Sequence, residues 1–212
     1  MIYRFVCIEG NIGAGKTTLA KLLAEEFGGS IILEKFDDNP YLSKFYEEPE
    51  KFALQLEVSF LLERYQQLNR ILSEPNIFSN FSVTDYMFEK CLLFAKINLN
   101  KTDYQLYRHF FHLVSKKIPK PDIIFYLHAD PTQLAKNIKE RGRSYEQGIS
   151  KVYLNRIERM YFEYFKQNHD FKVVVVDVNN IDWVSNAFAY KQLLGLFDKE
   201  YKNGINFVNL HD

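Results

Sequence analysis

The chain has 212 residues, with 27 basic against 27 acidic side chains and 47% hydrophobic content. That composition excludes disorder and collagen-like repeats, two cysteines cannot build a disulfide scaffold, and the length predicts a single domain over residues 1–212 with a core of its own. Zero formal net charge supplies no whole-molecule field for a nucleic-acid polymer or an acidic membrane, and no apolar run approaches the ~18 residues that cross a bilayer. With no secretory pattern at residues 1–9, the expected location is the cytoplasm.

Hydrophobic periodicity predicts a strand over residues 3–9 running into a helix over 15–27, then a strand over 30–34 and a long helix over 51–73. A strand over 81–85 precedes helices over 86–98 and 103–117. Further on, a strand over 122–128 leads to helices over 131–140 and 150–167, and a strand over 171–177 leads to a helix over 182–197. Strands separated by helices need long crossovers, which predicts an α/β protein: a five-stranded parallel sheet in a three-layer α/β/α arrangement. Two helices carry heptad-like stripes, Leu54, Val58, Leu61, Tyr65, Leu68 and Leu72 on one and Tyr104, Tyr107, Phe111 and Val114 on the other. Such stripes fit either an internal core or a subunit interface. Cys7 and Cys91 sit in apolar runs and read as buried free thiols; His109 and His112 share a helix face without acidic or cysteine partners, so no metal site is expected there.

Gly10-Asn11-Ile12-Gly13-Ala14-Gly15-Lys16-Thr17 matches the P-loop pattern, with Thr18 following, between a strand and an apolar-periodic helix. Glycines let main-chain N–H groups converge on phosphate oxygens at the positive end of a helix. Lys16 is expected to reach the β and γ phosphates of ATP, and the Thr17 hydroxyl to ligate Mg²⁺. Glu34 ends the second strand, where a carboxylate can accept a hydroxyl proton, and Asp85 ends the third, where it can orient Mg²⁺ through water. Residues 141–149, Arg-Gly-Arg-Ser-Tyr-Glu-Gln-Gly-Ile, read as a lid whose Arg141 and Arg143 neutralise transferring phosphates.

Together with the run 45–52, the helix bearing Arg64 and the strand 121–127, these motifs resemble the deoxynucleoside kinase family across most of the chain. The resemblance implies a Mg-ATP-dependent transfer of the γ-phosphoryl group to the 5′-hydroxyl of a deoxyribonucleoside. It implies that Glu34 is the base, that Tyr46 and Glu146 hold the 3′-hydroxyl, that Phe94 stacks on the nucleobase, and that Arg141 and Arg143 are lid arginines. It also implies homodimers through helices 51–73 and 103–117.

Two positions depart from the family pattern. An arginine normally follows the acidic residue of the third strand, but Tyr86 follows Asp85; Lys90, one turn further on, is a candidate source of the missing charge. Glu57 stands where a base-pairing glutamine is usual. An ionised carboxylate only accepts hydrogen bonds, which suits the adjacent N1–H and 2-amino donors of guanine and predicts a purine preference leaning toward deoxyguanosine. Arg64, seven residues on along the same helix face, would compete for those lone pairs. Two other functions remain open: a nucleoside monophosphate kinase, disfavoured because Arg64 and Arg70 are the only arginines between residues 34 and 90, and a regulatory or scaffolding protein that kept the P-loop without turnover.

Overall fold

The computed structural model describes residues 1–35, 39–73 and 81–210, with the side chains of 71–73 outside the described set. Leu72 of the first stripe, His211 and Asp212 therefore lie outside it. Strands β1 (Phe5–Gly10), β2 (Ser30–Ile32), β3 (Ser82–Thr84), β4 (Ile123–His128), β5 (Lys172–Asp177) and β6 (Gly204–Asn209) form one sheet in the order β2-β3-β1-β4-β5-β6. Every pairing is parallel, so the carboxyl ends of all six strands share one edge. Helices α1 (Lys16–Phe27), α2 (Leu42–Glu47), α3 (Pro49–Ser73), α4 (Lys90–Asn98), α5 (Lys101–Ser115), α6 (Pro131–Arg141), α7 (Lys151–Gln167) and α8 (Ala187–Gly195) supply the crossovers.

The strand pleat explains the layers. Successive side chains point to opposite faces, so Val6, Ile8, Phe125, Leu127, Val174 and Val176 pack with Leu19 and Leu23 of α1, Leu134 and Ile138 of α6 and Leu193 of α8. Their neighbours Cys7, Ile124, Tyr126, Val173 and Val175 face the other way, onto Leu93 and Ile97 of α4 and Ile157, Tyr161 and Phe165 of α7. Burial on both faces is what makes β4 and β5 near-continuous apolar runs.

The sheet has six strands rather than the expected five. β6 mixes polar Asn206 and Asn209 with apolar residues at the sheet edge, with Phe207 exposed and stacked on Phe162 at 6.5 Å, so it lacks the continuous apolar signature of the inner strands. The last helix starts at Ala187 instead of 182, because Asn186 caps it by accepting from the amides of Phe188 and Ala189. The fourth starts at Lys90 instead of 86, because the amide of Met87 is taken by the buried carboxylate of Glu9 at 2.8 Å. The short α2, which carries Tyr46, was not expected.

The striped helices pack on each other and, more extensively, on α4 between them, with α3 also covered by α2. Leu61 and Leu68 of α3 join Tyr107 and Phe111 of α5 in one cluster with Tyr86, Phe88 and Cys91. Of the stripe residues, Val58 is exposed, and it adjoins other exposed apolar side chains: Leu62 on α3 and Leu106, Phe110 and Leu113 on α5. The rest of the described stripe is buried or half-buried.

Candidate active site

Gly10 and Gly15 explain why the loop between β1 and α1 is glycine-rich. Their φ values of 150° and 90° disfavour other residues, and a Cβ would lie 2.7 Å from the Leu127 carbonyl oxygen at Gly10 and 2.8 Å from the Trp183 ring at Gly15. Asn11 pins the loop from inside, donating to the Leu154 carbonyl at 2.8 Å and accepting from the Ile12 amide at 2.9 Å. Lys16 Nζ bridges back to the Asn11 carbonyl at 2.8 Å. Burial, with Lys90 nearby, lowers the Lys16 pKa to about 8, so an anionic phosphate beside it favours its charged form. Beneath the loop, Glu9 accepts from the Gly10 amide and from Tyr161 Oη at 2.7 Å; its signal in the sequence was one acidic residue ending an apolar strand.

Glu34 faces inward, into a cleft. Its Oε1 accepts from Arg64 Nε at 2.9 Å and from Arg64 Nη2, and its Oε2 accepts from Lys90 Nζ at 2.7 Å. Burial pushes its pKa up, but the two cations outweigh that and hold the carboxylate well below its ordinary range; Lys90 is in turn held above the lysine value by Glu34 against the cost of burial. The expected competition between Arg64 and the ligand for Glu57 does not occur. Arg64 spends its remaining contact on Cys91 Sγ at 3.0 Å and lies over the Phe60 ring, because Glu34 arrives from the β2 edge directly above it. Tyr86 turns away from the cleft into the α3–α5 cluster and donates to Gln67 Oε1 at 2.7 Å.

Asp85 links the strand ends. It accepts from the Thr17 hydroxyl and, at 2.7 Å, from the Glu34 amide. Two adjacent hard oxygen donors of this kind fit Mg²⁺, which keeps most of its shell as water and phosphate oxygens.

The remaining expected residues line the same cleft of about 780 Å³: Tyr46 from α2, Glu57 and Arg64 from α3, Phe94 from α4, and Arg141, Arg143 and Glu146 from the lid. Glu146 is buried and accepts from Arg141 Nη2 and, at 3.4 Å, from Arg143 Nη1, so the lid folds on its own acid. Tyr46 stacks on Tyr145 of the lid at 6.0 Å. Two residues that sequence reasoning missed complete the wall. Asn98 Nδ2 donates to Glu57 Oε1 at 2.7 Å, and Tyr153 Oη donates to Asn98 Oδ1 at 3.1 Å. Glu57 Oε2 is buried without a hydrogen-bond partner. A second cleft, about 1750 Å³, runs past Gly13, Gly15, Thr18, Asn180 and Trp183, and the two clefts share Lys16, Thr17, Arg141 and Arg143.

Burial raises the Glu57 pKa from 4.5 to about 7, with the Asn98 hydrogen bond opposing it. A raised carboxylate makes the native state hold a proton that the unfolded chain lacks, so this residue's contribution to stability falls as pH rises from about 4.5 to about 7. Glu57→Gln is therefore expected to stabilise the fold by about 1–3 kcal/mol at alkaline pH, with the gain shrinking toward acid. Thermal melts of both proteins near pH 5 and pH 8 check this; equal shifts at the two values contradict it.

The geometry agrees with three comparisons. The family model described as deoxynucleoside kinase matches residues 6–200. The chain is similar to the deoxyguanosine kinase of Bacillus subtilis, 35% identical over 89% of this chain and 93% of that one, and to the deoxyadenosine kinase of Lactobacillus acidophilus, 28% identical over 93% and 96%. Among solved structures it is similar to the deoxyadenosine kinase from M. mycoides with bound dATP, with a TM-score of 0.78 and 27% identity over 92% of this chain and all of that one. No helix among the described residues is long and apolar enough to cross a membrane. With a P-loop at β1, an inward carboxylate after β2 and an arginine lid over both clefts, the chain belongs to the deoxynucleoside kinase family.

Proposed function

We propose that this enzyme transfers the γ-phosphoryl group of ATP to the 5′-hydroxyl of a purine deoxyribonucleoside, with deoxyguanosine preferred. The observation that carries it is the meeting of two clefts at Lys16, Thr17, Arg141 and Arg143, with Glu34 facing the smaller one. The larger cleft, along the P-loop, takes the triphosphate. In the smaller, Glu34 orients the sugar hydroxyl, Tyr46 and Glu146 hold the 3′ side, and Phe94 and Glu57 meet the base. The names of the related deoxyguanosine and deoxyadenosine kinases support a purine.

Glu34 is a weak base in the ground state, since its pKa is held low. That suits phosphoryl transfer through a loose transition state, in which little charge builds on the attacking oxygen until late and positioning dominates. Thr17, and Asp85 through water, would hold Mg²⁺, which would supply charge neutralisation at the phosphates. Lys90 contributes the charge that Tyr86 does not: its ammonium carries three donors, one of them on Glu34, and the others are available to the transferring phosphoryl oxygens. A monophosphate acceptor is disfavoured because the smaller cleft is lined by no arginine beyond Arg64, which binds Glu34, and the lid pair Arg141 and Arg143, which bind Glu146.

We also infer a homodimer, formed across Val58, Leu62, Leu106, Phe110 and Leu113 on α3 and α5, which are 40% to 72% exposed. The cytoplasm is the proposed location.

ADP release measured with each of the four deoxynucleosides, and with their monophosphates, tests the activity. The expected result is turnover with purine deoxynucleosides; response to monophosphates alone, or none, rejects it. Lys90→Ala is expected to lower kcat by on the order of 10²-fold, while Lys96→Ala, an exposed lysine on the same helix, leaves it unchanged. Equal rates for the two variants would remove Lys90 from the mechanism. Leu62→Glu combined with Leu113→Glu should convert the dimer to monomer in sedimentation, and an unaltered mass would refute the interface.

A further inference from the structure

Glu57 has no ion-pair partner among the described residues, and unlike Asp85, whose two oxygens accept from the Thr17 hydroxyl and the Glu34 amide, it keeps one oxygen unpartnered. Arg64 on its own helix is turned to Glu34, and Lys90 of α4 donates to the same acid. What faces Glu57 instead is neutral: Asn98 and Cys91 of α4, Tyr107 of α5, which donates to the Glu57 backbone carbonyl at 3.3 Å, and Tyr153 of α7. The charges that bear on it from further off, Arg64 and Lys90 against Glu34, act in opposite directions.

The three polar groups form a chain with fixed polarity. Tyr153 Oη donates to Asn98 Oδ1 at 3.1 Å, so the amide of Asn98 is oriented with Nδ2 toward Glu57, and Nδ2 spends one hydrogen on Oε1 at 2.7 Å. The second Nδ2 hydrogen remains a donor at the cleft wall. Oε2, sealed from water and unpartnered, is the acceptor still to be satisfied. With Glu57 ionised, the wall offers one donor followed by two acceptor oxygens. The edge of guanine is the complement: O6 accepts, and N1–H and the 2-amino group donate. Adenine presents a 6-amino donor beside the N1 lone pair, and an ionised carboxylate there sets lone pair against lone pair. One proton on Glu57 removes that conflict, because the acid then donates to N1 and accepts from the 6-amino group, as a carboxamide does.

We propose that Glu57, Asn98 and Tyr153 form a proton-gated reader of the purine edge, taking deoxyguanosine when Glu57 is ionised and deoxyadenosine when it is protonated. Asn98 touches the base and Tyr153 is a positioning residue that keeps the Asn98 amide from flipping. The inference rests on the purine assignment above and adds to it a mechanism of choice. A Glu57 pKa near 7 brings the gate into the neutral range.

The wild-type enzyme tests this without any variant. The ratio of ionised to protonated Glu57 changes tenfold per pH unit, so kcat/KM for deoxyguanosine divided by kcat/KM for deoxyadenosine should rise about tenfold per unit between about pH 5.5 and 8. Common effects of pH on Lys16, Lys90 or ATP cancel in the ratio. Glu57→Gln should make the ratio flat and shift it toward deoxyadenosine, and Tyr153→Phe should lower it at high pH, with Asn98 free to flip. A flat wild-type ratio with both purines phosphorylated overturns the gate and leaves the purine assignment intact. Preference for a pyrimidine at every pH overturns both.

Discussion

Everything in this cleft depends on one buried ion cluster. Glu34 is held by Arg64 from α3 and Lys90 from α4, and each of the three side chains is nearly closed to water. Taking such charges out of water costs several kcal/mol per ion, and the cost is recovered only when partners and geometry are complete. Three elements distant in sequence are thereby fixed relative to one another, and Asp85, which accepts from the Glu34 amide and the Thr17 hydroxyl, ties the cluster to the P-loop. The two clefts are thus positioned by the same set of contacts.

The parallel sheet makes that convergence possible. With β1 between β3 and β4, the loops that leave the carboxyl ends of β1, β2 and β3 open on one side of the same edge, and α4 and α7 close over the cleft from the opposite face. The P-loop needs a rigid floor as well as free amides. Glu9 supplies it, a carboxylate buried under the loop and satisfied by two amides and the Tyr161 hydroxyl. Burial raises its pKa against the pull of Lys90 and Lys16.

Local features of the site were legible in the sequence, and relations between elements were not. The P-loop, the strand-end acids Glu34 and Asp85 and the arginine lid are contiguous motifs or follow from the rule that ligands gather at strand ends. The i, i+7 spacing offers Glu57 as a competing partner for Arg64, because the two share a helix face; the partner observed arrives from another element, which no periodicity encodes. Tyr86 was recognisable as a departure, yet its turn toward Gln67 is a consequence of packing between α3, α4 and α5. Asn98 carried no signal beyond its place one turn after Phe94, and Tyr153 none at all, since α7 is drawn over the cleft only by the tertiary fold. β6 escaped because an edge strand wetted on both faces has no apolar run.

Glu146 has a consequence of its own. It anchors Arg141 and Arg143 together, and on the proposed assignment it also meets the sugar. A nucleoside that draws this carboxylate toward its 3′-hydroxyl loosens two guanidiniums at the moment the phosphate tail requires them, so filling one chamber primes the other. On that assignment the clamp, occupied with its own tether until a sugar arrives, would leave a triphosphate only half gripped.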